Sequence, residues 1–337
     1  MTLRVAINGF GRIGRLVLRA AYEAKRRDLE FVGINDLGSV EANAHLLKYD
    51  SVHGTFPGDV TAKGDTIDLG GGAIKVTAER DPTKLPWKTL GVDVVMECTG
   101  LFTARDKAAK HLEAGAKRVL ISAPAEGADI TVVYGVNHQK LNNNHGIVSN
   151  ASCTTNCLAP VAKVLNDAIG IERGYMTTIH AYTGDQSTVD TLHKDLRRAR
   201  AAAVSMIPTS SGAAKAVSLV LPELKGKLDA TSIRVPTPNV SLIDFKFDAK
   251  RATTTDEVND AMKKAAASGP LKGVLAVNSA PLVSVDFNHN PASAIFDLTQ
   301  TQVIDSRFVR VLAWYDNEWG FSNRMTDVAV VMGKVMH

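Results

Sequence analysis

Six residues near the start constrain this chain most: Gly9-Phe10-Gly11-Arg12-Ile13-Gly14, a G-x-G-x-x-G run. Their setting gives the run its meaning. Residues 4–8 (RVAIN) ahead of it are a short, mostly apolar strand. Residues 12 to about 27 read as a helix, with Ile13, Leu16, Val17 and Ala20 at i, i+3, i+4 and i+7. Residues 30–34 (EFVGI) form a second strand ending at Asn35-Asp36, and Asp36 lies twenty-two residues past Gly14. Strand, glycine turn, helix and strand in that order commit the first part of the chain to a parallel sheet covered by helices.

Each part of the run has a physical task. Gly9 permits the tight turn, Gly11 lets backbone approach a pyrophosphate, and Gly14 lets the helix pack on the strand. The helix N-terminus offers N–H groups to an anion. Asp36 can accept hydrogen bonds from both hydroxyls of an adenosine ribose. Its charge would repel a 2′-phosphate, so the pattern favours NAD over NADP.

The alternation continues. Residues 92–96, 119–121 and 147–149 read as short buried strands, and ARDKAAKHLEAG as a helix stopping at Gly115. Residues 51–79 read as an antiparallel excursion. After about residue 150 the pattern changes: Ile243, Phe245 and Phe247 alternate with Asp244, Lys246 and Asp248, a strand with one wet face. Residues 282–287 and 308–315 are also strand-like. Thr254 and Glu257 fit a capping box, and Met325, Val328, Met332 and Val335 mark a C-terminal helix. The expected class is α/β: a Rossmann dinucleotide-binding domain over residues 1–151, completed by a helix over 318–337, and an α+β catalytic domain over 152–317 with a mostly antiparallel or mixed sheet.

Composition narrows the function classes. Of 337 residues, 45% are hydrophobic and 22% charged, which argues against a disordered chain. A net charge of +4 is too small to call for a nucleic-acid partner. No apolar run is long enough for a membrane span. Three cysteines do not make a disulfide framework, so reduced thiols in the cytoplasm are expected.

One of these cysteines carries chemistry. In Ser149-Asn150-Ala151-Ser152-Cys153-Thr154-Thr155-Asn156-Cys157 a short strand runs into a helix with Leu158, Val161, Leu165 and Ile169 on one side. Cys153 therefore lies at or near a helix N-terminus, where the dipole and free N–H groups favour a thiolate and can hold an oxyanion. Cys98 and Cys157 read as packing residues. The C-x-x-x-C spacing matches neither a paired zinc knuckle nor a thioredoxin-like motif, and no metal is expected. His180 ends a strand-like run and is a candidate base, although spacing alone does not separate it from His193 or His138.

The residues NGFGRIGR (8–15), HLLKYDSVHG (45–54), SNASCTTNCLAP (149–160), GAAKAV (212–217), RVPTPNVS (234–241) and WYDNEWG (314–320) resemble the phosphorylating glyceraldehyde-3-phosphate dehydrogenase family over essentially the whole chain. The resemblance implies a cytoplasmic, glycolytic or gluconeogenic homotetramer that oxidises glyceraldehyde 3-phosphate with NAD and inorganic phosphate, without nucleic acid or membrane. It makes Cys153 the nucleophile and His180 the base of a thiohemiacetal and thioester mechanism. Thr183 and Arg234 would hold the substrate phosphate, and Ser152, Thr154, Ser211, Gly212 and Arg198 the attacking phosphate. Gly9, Gly11, Arg12, Ile13, Gly14, Asp36, Arg80, Ser122 and Asn317 would bind NAD, with Asn317 orienting the nicotinamide carboxamide.

Four positions depart from that pattern. Gly184 stands where members often carry Asn, Ser211 where Thr is usual, and Phe321 where many have Tyr. Leu192 replaces the Pro usual in NAD-specific members, so an NAD preference with some NADP activity is expected. The alternatives are erythrose-4-phosphate dehydrogenase, a catalytically silent RNA-binding or scaffold protein, and a thiol redox sensor. The segments Ala181-Tyr182-Thr183 and Ser210-Ser211-Gly212-Ala213-Ala214 favour the triose phosphate.

Overall fold

The computed structural model describes residues 2–336. They fall into two compact units: 2–132 with His138–Ala151 and 322–336, and Val133–Asn137 with Ser152–Phe321. Among the described residues no helix is long and apolar enough to cross a membrane.

In the first unit β1 (Leu3–Asn8), α1 (Arg12–Glu23) and β2 (Leu29–Asn35) form the expected strand–helix–strand unit. α2 (Val40–Lys48), β3 (Thr61–Lys63), β4 (Thr66–Asp68) and β5 (Ala73–Thr77) follow. β6 (Val94–Glu97), the one-turn helices α3 (Arg105–Ala108) and α4 (Lys110–Glu113), β7 (Arg118–Ile121), β8 (Ile130–Thr131) and β9 (Ile147–Ser149) complete it. Among the described residues these strands pair in the order β3-β4-β5-β2-β1-β6-β7-β9-β8. From β5 to β8 every pairing is parallel, and only the β3–β4 and β4–β5 pairs are antiparallel.

Val5, Ala6 and Ile7 of β1 are fully buried, as a central parallel strand requires. Trp87 fills one side against Ala6, Val32, Val92 and Val95. Two helical expectations are shortened. α1 stops at Glu23 rather than near residue 27, because Lys25 adopts a left-handed backbone, φ 51°, that no helix continues through. The ARDKAAKHLEAG stretch breaks into α3 and α4, and still ends at Gly115 with φ +100°.

In the second unit α5 (Cys153–Ala168) leads to β10 (Ile171–Ala181). β11 (Ile207–Ser210), α6 (Ala213–Val220), β12 (Leu228–Val235), β13 (Ser241–Ala249) and α7 (Thr255–Ala267) come next. The last strands are β14 (Leu275–Asn278), β15 (Ala294–Asp297), β16 (Gln302–Ile304) and β17 (Phe308–Tyr315); the C-terminal helix α8 (Trp319–Lys334) follows and from Ser322 on belongs to the first unit. The sheet runs β11-β12-β10-β13-β17-β15-β14, with β16 on β17. It is mixed: β10 is parallel to β12 and antiparallel to β13. Along β13, Ser241, Ile243, Phe245, Phe247 and Ala249 are buried, and the residues between them are half-exposed.

Residues 282–287 are not a strand. Val283 N–H donates to the Asp286 carboxylate at 2.8 Å, which closes a 3-10 turn over Ser284–Phe287 and lays Phe287 on Trp314, ring centroids 5.3 Å apart. The capping box is half formed. Thr254 Oγ1 accepts from Glu257 N at 3.2 Å, but the Glu257 carboxylate turns to Thr253 Oγ1 and Arg251.

Candidate active site

The C-terminal ends of β1, β2, β5 and β7 carry the first unit's residues expected to bind the cofactor. Gly9 has φ +90°, and a Cβ there would lie 2.7 Å from Thr99 N. A Cβ on Gly14 would lie 2.2 Å from the Gly9 carbonyl oxygen. Both close approaches demand glycine. Around Gly11, by contrast, nothing lies within 4 Å of an ideal Cβ. Gly11 starts α1 without a capping side chain, and no acidic residue occupies the first turn. The first-turn N–H groups of a helix have no partner within it and favour an anion. The Asp36 carboxylate accepts from Phe10 N and Gly38 N, each at 2.9 Å, leaving lone pairs for a ribose. These residues fit a dinucleotide.

Arg12 opens α1 beside Ile13 and pairs with the buried Asp50 at 2.5 Å. Asp50 also accepts from Val52 N and His53 N. Burial pushes its pKa up, but Arg12 and these N–H groups outweigh that and bring it down to about 2. Ser122 follows β7, its N–H on the Glu97 carbonyl at 3.0 Å. Arg80 is exposed.

Sequence reasoning missed what holds this end of the sheet. Glu97 is 1% exposed and reads as part of a strand. Its carboxylate accepts from Asn8 Nδ2 at 2.6 Å, His111 Nε2 at 2.9 Å, Thr99 N at 2.8 Å and the Thr99 hydroxyl. Trp87 Nε1–H, a donor only, reaches His111 Nδ1 at 3.0 Å, so His111 carries its proton on Nε2, toward Glu97. No periodic pattern encodes such a network.

In the second unit α5 begins where the sequence places it. Ala151 takes a left-handed backbone, φ 57°, and Ser152 caps the helix by accepting from Thr155 N at 3.1 Å. Cys153 is thus the first helical residue. Its Sγ lies 3.4 Å from His180 Nε2. His180 is 3% exposed, and its Nδ1–H donates to the Ala181 carbonyl at 2.7 Å, which leaves Nε2 as the acceptor facing sulfur. His180 is therefore separated from His193 and His138 by geometry.

Burial dominates the electrostatics. It pushes the Cys153 thiol up, against the pull of Arg234 and of the Thr154 hydroxyl and N–H groups. Burial, with the Arg234 charge, brings His180 down to about 3. Both shifts favour the uncharged forms, against the pull toward a thiolate that the helix terminus and Arg234 exert. A helix terminus contributes about 0.3–1 kcal/mol, less than desolvation of a buried charge.

Arg234 is the β12 partner of His180 in register. Its Nη1 donates to Thr183 Oγ1 at 2.9 Å and to the Ala181 carbonyl at 3.2 Å. Thr183 in turn donates to Asp185, which also accepts from Arg198 Nη1 at 2.7 Å. Arg198 Nε reaches Thr209 Oγ1 at 3.0 Å, and that hydroxyl donates to Asp195 at 2.6 Å. Thr183, Arg234 and Arg198 are thus gathered, with Asp185 as a missed third party between them. The stretch 194–200 is turns rather than a helix, because Asp195 accepts from Arg197 N at 2.9 Å and Thr209 holds its carboxylate.

Gly212 starts α6, and Ser211 Oγ accepts from Ala213 N at 3.3 Å, so this pair forms a second helix-terminal cluster. Thr154 is 6% exposed, and its hydroxyl is engaged with Tyr315 OH at 2.9 Å. Tyr315, also missed, bonds Thr178 Oγ1 at 2.8 Å and sets its ring edge-on to His180 at 5.9 Å. Asn317 is 4% exposed and bonds Ser241. Cys157 is buried, with Sγ 4.0 Å from the Ala313 carbonyl, and Cys98 is half-buried. Among the described residues no group of three or more metal-binding side chains occurs.

Residues 3–105 match the model of the glyceraldehyde 3-phosphate dehydrogenase NAD-binding domain, and residues 152–317 that of the C-terminal domain of the same family. A glyceraldehyde-3-phosphate dehydrogenase of Xanthobacter flavus is 72% identical over 335 residues, covering 99% of this chain and all of the relative. The enzyme of Cereibacter sphaeroides is 67% identical over the full length of both chains, and that of Geobacillus stearothermophilus 57% identical over 98% of each. The chain belongs to the glyceraldehyde-3-phosphate dehydrogenase family, with NAD as its cofactor.

Proposed function

We propose that the oxidation of glyceraldehyde 3-phosphate by this enzyme runs through a thiohemiacetal and then a thioester on Cys153, with His180 moving the protons. The observation that carries this is the Cys153 Sγ–His180 Nε2 contact at 3.4 Å, with the imidazole locked by Ala181. As sulfur adds to the aldehyde carbon, its proton passes to Nε2 and on to the new hydroxyl. His180 takes the hydroxyl proton again when the carbon is oxidised. NAD, when bound, supplies the acceptor for the hydride. Phosphate oxygen then attacks the thioester carbonyl, 1,3-bisphosphoglycerate leaves, and sulfur recovers its proton from His180.

Thr183 and Arg234 hold the substrate phosphate, and Arg198, Ser211, Gly212, Ser152 and the Thr154 backbone serve the attacking phosphate. Guanidinium, hydroxyl and N–H groups are the right donors for both. Asp185 keeps Thr183 and Arg198 in place until an anion arrives. Gly9, Gly11, Gly14, Arg12, Ile13, Asp36, Arg80 and Ser122 hold NAD, and Asn317 meets its carboxamide.

Cys153→Ser is expected to retain NAD binding and lose about a thousandfold or more in kcat, because an alcohol is a far poorer nucleophile. Retained turnover would reject the assignment. The ratio of kcat/KM for glyceraldehyde 3-phosphate to that for erythrose 4-phosphate is expected to favour the triose.

The enzyme works as a homotetramer in the cytoplasm. The segment from Val189 to Met206 supports association. It leaves Leu192, Leu196, Val204 and Met206 at 75% exposure or more, large apolar side chains that an isolated subunit would keep in water. Leu196→Asp is expected to lower the molar mass measured by light scattering, and an unchanged mass places the subunit contact elsewhere.

A further inference from the structure

The end of β17 carries Asn317 on a rigid support. The Asp316 carboxylate accepts from Asn239 Nδ2 at 2.9 Å and His289 N at 2.7 Å with one oxygen. With the other it accepts from Trp319 N at 2.7 Å and Glu318 N at 3.0 Å. The backbone around Asn317 is thereby fixed, and the rotation of its amide is what remains to be set.

Ser241 sets it. This residue is 1% exposed and begins β13, opposite Tyr315. It is aimed by Val240, a β-branched residue held at φ 65° and buried against Phe287, Ala292 and Ile295. A β-branched side chain in that region is strained, so the packing around it must over-determine the conformation. The Ser241 hydroxyl stands between two strand ends. Ala181 N–H donates to its oxygen at 3.0 Å, and the hydroxyl reaches Asn317 Oδ1 at 2.8 Å.

The direction of these bonds follows from the inventory of groups. A peptide N–H can only donate, so Ser241 Oγ accepts from Ala181 and has its single proton left for Asn317. A donated proton needs an oxygen, which turns the Asn317 carbonyl toward Ser241 and its NH2 group away. The other side of Ala181 is equally engaged, since its carbonyl accepts from His180 Nδ1 and Arg234 Nη1. One residue thus fixes the imidazole through its carbonyl and the Asn317 amide through its N–H.

We propose that Ser241 is a positioning residue that holds the Asn317 amide with Nδ2 forward, as a hydrogen-bond donor to the carbonyl of the nicotinamide carboxamide. The inference rests on the reading of Asn317 as the residue that meets that carboxamide. It makes the Asn317 contact directional, with the amide unable to present oxygen without breaking the Ser241 bond. The flipped amide would repel the same carbonyl.

The test compares NAD with ADP-ribose, which lacks the nicotinamide, by titration calorimetry of the full-length enzyme. Ser241→Ala is expected to weaken NAD about tenfold and leave ADP-ribose within about twofold. Asn317→Ala is expected to do the same, and the double variant to be no worse than Asn317→Ala alone. Ser241→Cys keeps the shape and a weak donor, and is expected to fall between wild type and Ser241→Ala. It also serves if Ser241→Ala fails to fold, as judged by the rate of Cys153 alkylation.

Equal weakening of NAD and ADP-ribose by the Ser241 variants overturns the inference, since a general loss of structure would do that. Additive effects in the double variant also overturn it. If Asn317→Ala weakens NAD selectively while Ser241→Ala does not, the Ser241 step fails and the Asn317 reading stands. If Asn317→Ala leaves NAD unchanged, the Asn317 reading fails and the inference with it.

Discussion

The two units make their sites from different materials. In the first, the chemistry belongs to backbone: a glycine turn, close approaches at Gly9 and Gly14, and a helix start that no side chain caps. In the second it belongs to side chains. Cys153 comes from a helix start, His180 and Arg234 from paired strands, and Thr183 and Arg198 from loops. Backbone sites are written in consecutive residues, because the turn must be locally permissive. Side-chain sites are assembled across long separations and owe their protonation to burial.

That contrast can be broken first at His180. His180→Asn removes the acceptor for the thiol proton and is expected to cost about a hundredfold or more in kcat. Because burial pushes the Cys153 thiol up, its alkylation is expected to rise with pH into the alkaline range. In His180→Asn it should be slower near neutrality and approach wild type only at high pH. Identical profiles would place the base elsewhere.

A smaller effect belongs to the backbone site. Gly9→Ala forces a Cβ against Thr99 at φ +90°, where an L side chain costs about 1–2 kcal/mol before any clash. NAD affinity is expected to fall severalfold, while the alkylation rate of Cys153 stays as it was. A parallel loss at Cys153 would mean that the two sites are not built independently.

A different readout, stability against pH, also separates the units. His180 is neutral in the fold, its pKa brought from 6.5 down to about 3. The unfolded chain therefore binds the extra proton first, and stability falls as pH drops through that window. Asp50 is shifted from 3.8 to about 2 by its ion pair. Its contribution, about 2 kcal/mol, is present above the unfolded value and lost as pH falls toward 2. Urea midpoints are expected to lose their slope between pH 6.5 and 3 in His180→Asn, and only below about pH 4 in Asp50→Asn. A slope lost above about pH 4 in Asp50→Asn, or kept there in His180→Asn, would contradict these assignments.

The same contrast governs what was legible in the sequence. The β1–α1–β2 unit, the helix that starts at Cys153 and the one-sided β13 follow from periodicity and glycine placement, since each depends on neighbours along the chain. The turn at Ser284–Phe287 did not, because one carboxylate, Asp286, redirects an apolar run. Glu97, Tyr315, Asp185 and Ser241 were invisible for a related reason. Each acts through partners tens of residues away or more, or across a loop whose shape no pattern encodes. Spacing placed Cys153, and only the fold brought His180 to it.

The most direct measurement of the central claim is intact-protein and peptide mass spectrometry after mixing enzyme, NAD and glyceraldehyde 3-phosphate without inorganic phosphate. A 3-phosphoglyceroyl adduct is expected on the peptide containing Cys153, and it should vanish when phosphate is added. An adduct confined to Cys98 or Cys157, or turnover with no phosphate-sensitive adduct on Cys153, would contradict it.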